Sequence, residues 1–274
     1  MDEYPLRLRR VMDPRSGRAV LLSFTAGLEI GVVPGLADLP SMIEGLASRG
    51  HLTGAIVHAG ILPDIFERCP ALQCGMIVDV FGGTWLSSRP DRREQICSLE
   101  HAVRVGADAV LATIGLGSAD ESRHLRLCGQ LARECSLWGL PLIVRIDTTE
   151  TDARRQFSAT LAGHGARLAY ELGADMVMVN FALSSQAFAE AQAGVDIPVL
   201  IGGGPNMATD EALLDSVAQA LQAGANGVAL GATMFWQDGP TETWEKLAIV
   251  VGTRSARRGE HGRVPANRTT AGRA

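Results

Sequence analysis

Arg145 and Asp147 stand two residues apart in the apolar stretch Pro141-Leu-Ile-Val-Arg-Ile-Asp147. In an extended strand alternate side chains share a face, so this guanidinium and this carboxylate project together. Met178 and Asn180 repeat the spacing in Met176-Val-Met-Val-Asn180. A charge facing a packed interior is costly unless paired, which calls for Asp147 or Asp79 beside Arg145. Such a group has two readings. It is a buried ion pair that only fixes a strand end, or a carboxylate that moves protons beside a cation that stabilises developing negative charge. His58, closing the run Gly54-Ala-Ile-Val-His58, is either a hydrogen-bonded structural group or a second proton carrier.

The elements that must bring these residues together announce themselves by repetition. Gly106-Ala-Asp-Ala-Val110, Gly173-Ala-Asp-Met-Val177 and Gly224-Ala-Asn-Gly-Val228 each follow a helical pattern and open an apolar run. Glycine suits the left-handed residue that ends a helix, and a β-branched run suits a strand buried on both faces. Strands are predicted over 19–24, 54–58, 75–80, 109–113, 141–146, 176–180, 199–201 and 227–230. Helices are predicted over 41–48, 63–69, 99–105, 122–137, 159–172, 186–193, 210–223 and 242–251. This alternation predicts a (β/α)8 barrel, the TIM barrel, in one domain over 1–252. An open doubly wound sheet is the competing architecture, but the first strand is not followed by Gly-x-Gly-x-x-Gly. The Arg-rich segment 253–274 has no apolar period and is expected to be a disordered tail.

In such a barrel, chemistry collects at the C-terminal ends of the strands. Read in order, those ends give Thr25 with Glu29, His58, Asp79, Thr113, Arg145 with Asp147, and Met178 with Asn180. Ile201-Gly-Gly-Gly-Pro-Asn206 and Leu230-Gly-Ala-Thr-Met-Phe235 follow the last two strands. Their glycines, Gly203, Gly204 and Gly231, together with Thr233, present backbone amides of the kind that hold anions. Thr25, Met178 and Asn180 complete the expected substrate-binding set.

The 274 residues are 46% hydrophobic and carry a net charge of −5, which gives no general attraction to nucleic acid or anionic lipid. No apolar run approaches the ~20 residues that span a bilayer. The five cysteines, an odd number mostly in apolar segments, fit reduced thiols in a cytoplasm. Cys69 and Cys74 lack the second ligand pair that a zinc site wants. Lys246 is the only lysine, so one side-chain amine serves the whole chain. Arginine in place of lysine fits a GC-rich genome, and a specialised biosynthetic role is the expectation that follows.

The chain resembles the class I aldolases of the deoxyribose-phosphate and archaeal fructose-bisphosphate aldolase superfamily. Within it, the 2-amino-3,7-dideoxy-D-threo-hept-6-ulosonate synthase branch is the nearest in pattern. Ser16-Gly-Arg-Ala-Val-Leu-Leu22, Ile56-Val-His-Ala-Gly-Ile61, Leu116-Gly-Ser118, Trp138-Gly-Leu-Pro-Leu142 and Gly203-Gly-Pro205 carry the likeness, which runs from about Met12 to Val251. The resemblance implies the barrel fold, a small carbonyl substrate, a homo-oligomer and no cofactor or metal. It also implies where the pattern breaks. The family's Schiff-base lysine falls on Met178, its strand-five tyrosine on Asp147, and its phosphate-binding cations on Ala232 and Asn206. A Schiff base needs an amine, and methionine has none. The expectation is therefore an aldolase-like lyase working by acid–base chemistry. Asp147 is its main acid–base group, Arg145 its oxyanion partner, and His58 or Asp79 its second proton carrier. A non-catalytic binding or partner subunit and a metal-dependent lyase are the rivals.

Overall fold

The computed structural model describes residues 4–31, 33, 36–89, 92–148, 158–180, 185–203, 209–231 and 240–253. In chain order the strands are β1 Ala19–Ser23, β2 Gly54–Val57, β3 Gly75–Asp79, β4 Phe81–Gly82 and β5 Glu94–Gln95. They continue with β6 Ala109–Leu116, β7 Leu142–Thr148, β8 Met176–Asn180, β9 Val199–Gly203 and β10 Gly227–Gly231. All except β4 and β5 close into one barrel in the order β1-β10-β9-β8-β7-β6-β3-β2. Each pairing in it is parallel, so the predicted (β/α)8 fold is the observed one.

Two apolar layers hold it. Leu21, Ile56, Ile77, Leu111, Ile143, Met176 and Leu200 fill the inside of the barrel. Val20, Leu22, Val57, Val78, Val110, Val144 and Val177 alternate with them and pack outward under the helices. Burying each such side chain stabilises the fold by about 1.5–3 kcal/mol.

The rhyming Gly-Ala-Asp stretches have a physical meaning at the floor, where the strands begin. Gly106, Gly173 and Gly224 hold φ at 93°, 88° and 102°, conformations that suit glycine. The residue two places on then clamps a neighbouring strand from both sides. Asp108 donates its N–H to Met76 O at 2.8 Å, and its Oδ2 accepts from Met76 N at 2.9 Å. Asp175 does the same to Leu142, at 2.8 Å both ways. Asn226 does the same to Val199, at 2.7 and 3.0 Å. Thr53 makes a fourth clamp on Val20, at 2.8 and 3.0 Å, and its hydroxyl donates to Val11 O.

Three features lie outside the predicted pattern. The helix Tyr4–Val11 closes the floor, burying Val11 inside the barrel and pairing Arg10 with Asp108 at 2.8 Å. A short helix, Ala26–Ile30, follows β1, and β4 pairs antiparallel with β5. Strand β6 also runs to Leu116 rather than ending at 113, because it pairs with the full length of β7.

Candidate active site

The register across three neighbouring strands sets Thr113, Arg145 and Met178 side by side. Arg145 Nη2 donates to Thr113 Oγ1 at 2.8 Å and to Asp79 Oδ2 at 3.3 Å. Asp79 Oδ1 accepts from Phe81 N at 3.0 Å, so both oxygens of this buried carboxylate are engaged. Asp147 is different. Its side chain is 48% exposed, and Oδ1 stands 3.7 Å from Arg145 Nε, beyond a hydrogen bond. Nε itself is buried and has no hydrogen-bond partner among the described residues.

The charges are tuned by these neighbours. Burial pushes the Asp79 carboxyl above its ordinary range, against the weaker downward pull of Arg145 and His58. Burial also works to discharge Arg145, but Asp147, Asp79 and Glu29 together outweigh it and hold the guanidinium charged.

His58 Nδ1 lies 3.1 Å from the Asp79 carbonyl oxygen. A carbonyl only accepts, so Nδ1 carries a proton, and in the neutral imidazole Nε2 carries a lone pair. That Nε2 is buried and without a hydrogen-bond partner among the described residues.

A cavity of about 270 Å³ opens at the mouth. Of the sequence-predicted residues, Thr25, Arg145, Asp147, Met178, Asn180 and Gly231 line it. His58 and Asp79 line a second cavity of about 440 Å³, so the structure divides the predicted set between two spaces. Gly203 ends β9, whereas Gly204 and Thr233, with Asn206, Ala232 and the segment 254–274, lie outside the described residues.

One mouth residue escaped the sequence reading: Arg93, which pairs with Glu29 at 2.9 Å and also lines the cavity. It is placed there by buried His124. The imidazole accepts from Gly115 N through Nδ1 and donates to Arg93 O through Nε2, at 3.1 Å each. The arginine cluster Arg89, Arg92 and Arg93 after the third barrel strand was the available signal.

Other nucleophiles stand elsewhere. Lys246, the single lysine, lies on the outer helix Pro240–Val251, paired with Glu242 at 2.8 Å. Burial pushes the Cys128 and Cys135 thiols up to about 12, which keeps them protonated. Among the described residues no three His, Cys, Asp or Glu side chains gather as a metal site, and no helix is long and apolar enough to cross a membrane.

Comparison with known proteins adds the chemistry of the group. The family model described as "DeoC/LacD family aldolase" matches residues 28–237. The chain belongs to the DeoC/LacD aldolase family. It is 29% identical over 264 residues to a Streptomyces griseus protein named 2-amino-4,5-dihydroxy-6-oxo-7-(phosphonooxy)heptanoate synthase, covering 94% of each chain. It is also 29% identical over 254 residues to 2-amino-3,7-dideoxy-D-threo-hept-6-ulosonate synthase 1 of Archaeoglobus fulgidus, covering 89% of each. The crystal structure of an archaeal fructose 1,6-bisphosphate aldolase superposes with a TM-score of 0.78 at 27% identity, over 90% of this chain and 98% of that one. Membership of the DeoC/LacD family makes the chain an aldolase-type enzyme.

Proposed function

We propose that this enzyme makes or breaks a carbon–carbon bond, or rearranges a neighbouring one, by forming an enolate without a Schiff base. The observation that carries the reading is the open Nε of Arg145, buried and 3.7 Å from the half-exposed carboxylate of Asp147. With Nη2 committed to Thr113 and Asp79, the free N–H edge is a fixed donor for a ligand oxygen. Asp147, open to the mouth, removes the proton on the carbon beside a carbonyl. The C–H electron pair moves onto the carbonyl oxygen, and Arg145 holds the resulting enolate. The enolate carbon then attacks a second carbonyl or takes the proton back from Asp147. Dehydration and cyclisation start from the same enolate.

Asp79, with both oxygens engaged, acts in this reading as the residue that positions Arg145, and His58 holds the carbonyl behind it. Met178 occupies the mouth as an apolar wall beside Arg145. The two named relatives make seven-carbon products whose names contain a 2-amino group and a ketone at carbon 6. A small ketone or keto acid is the substrate class carried over to this chain, and a homo-oligomeric, cytoplasmic, biosynthetic enzyme completes the proposal.

Solvent deuterium exchange followed by NMR tests it, using pyruvate, dihydroxyacetone and their phosphorylated relatives. Exchange by the wild type that falls at least ~100-fold in Asp147→Asn is the expected result. Exchange undiminished in that variant, or none with any compound, would overturn the assignment.

A further inference from the structure

The second cavity lies across the helix Ala26–Ile30 from the mouth: Ala26 and Glu29 face one space, Gly27 and Leu28 the other. Its volume, about 440 Å³, falls in the ordinary range of small-molecule sites, roughly 300–1,000 Å³. Phe24, Leu39 and Ile61 make the wall apolar. Leu28 and Ile96, also on the wall, are 39% and 49% exposed, so apolar surface is left in water where a ligand would cover it. Gly27 and Gly60 border the same space, and a Cβ added to either would meet no atom within 4 Å. Among the described residues, no side chain has grown into this room.

The polar groups on the wall narrow the ligand. Asp79 takes one hydrogen bond on each carboxylate oxygen and is 2% exposed, so it offers a ligand mainly its charge. A dry wall beside a carboxylate repels anions, and His101, the second imidazole on that wall, is exposed to solvent. Neutral His58 offers the reverse, a buried lone pair on Nε2 with its other nitrogen tied to the Asp79 carbonyl. We propose that this cavity is a second ligand site, for an uncharged aromatic or branched aliphatic molecule whose single N–H or O–H donates to His58 Nε2. It is distinct from the carbonyl site at the mouth and does not rest on the chemistry assigned there.

Calorimetric titration of the full chain with indole, benzofuran and indole-2-carboxylate decides the matter. Indole has the shape and one N–H, benzofuran the shape alone, and the third compound adds a charge. Saturable one-to-one binding of indole is expected, with the other two at least tenfold weaker. His58→Phe should bring indole down to the level of benzofuran. Gly27→Leu should weaken indole at least tenfold while its melting temperature holds, and Gly60→Leu repeats that reading if the first variant does not fold. Asp147→Asn should bind indole as the wild type does. The proposal is overturned by indole and benzofuran binding equally, by binding that survives both filled variants, by loss of binding in Asp147→Asn, or by no saturable binding.

Discussion

The floor and the mouth of the barrel are made by the two ends of the same strands, yet they treat polar groups in opposite ways. At the floor, Asp108, Asp175, Asn226 and Thr53 each give an N–H to a neighbouring strand and take one back. At the mouth, Arg145 Nε and His58 Nε2 are buried with no hydrogen bond among the described residues. Buried polar atoms left open are uncommon in folded proteins, and each asks for an explanation. The contrast separates four clamps that the chain completes itself from a mouth that, in the proposed function, is completed by what binds there.

The hardest way to break the floor is at its seam. Gly227 has φ at 141°, and a Cβ there would stand 2.0 Å from Ala19 O, where β10 meets β1. Gly227→Ala should cost more than ~4 kcal/mol and abolish a cooperative melt by circular dichroism. Next comes Arg145→Met, which leaves Asp79 buried without its cation and should cost roughly 3–5 kcal/mol at pH 8. Its sign with pH is definite. The folded carboxyl already titrates above its unfolded value, so protonation favours the fold. The stability gained in acid is lost as pH rises through the folded pKa, and without Arg145 that pKa rises further. Melting should therefore be markedly higher at pH 5 than at pH 8, more so than in the wild type.

Asp147→Asn sharpens the comparison from the mouth side. It removes the foremost of the charges that hold Arg145 ionised, but across 3.7 Å and from a half-exposed group, so stability should fall by only about 1 kcal/mol. Turnover should nonetheless fall by ~10²–10⁴ in a deuterium-exchange assay. The smallest effect is expected at Asp175, whose carboxyl is raised by burial to about 6 against a weaker lowering by Leu142 N–H. Being raised, it contributes stability that is present below the unfolded pKa and lost as pH climbs through about 6. Asp175→Asn copies the clamp that Asn226 already makes with an amide. It should melt roughly 2–4 °C above the wild type at pH 7.5 and level with it at pH 4.

The floor was the legible half because its devices are local. A glycine at positive φ, followed two residues later by a side-chain acceptor, leaves a sequence mark, and three marks in phase define a barrel. Thr53 escaped because the glycine before it, Gly50 at φ 70°, stands three residues back rather than two, and a threonine takes the place of Asp or Asn. At the mouth, alternation along single strands was enough to pair Arg145 with Asp147 and Met178 with Asn180. What alternation could not show was the division of His58 and Asp79 from the rest, since that depends on where the short helix Ala26–Ile30 sits. Arg93 was hidden for a related reason. A two-residue strand and a histidine 31 positions away set its place, and neither has a period to read.

Lys246 stands alone on the outer helix, and this gives the chain a single address for side-chain amine reagents. A fluorophore coupled there would sit on the outer wall while leaving Arg145, Asp147 and both cavities chemically untouched. With the chain's more acidic α-amine blocked first, tumbling and self-association could be followed from one dye per chain during turnover. The handle follows from having almost all of the basic charge on arginine.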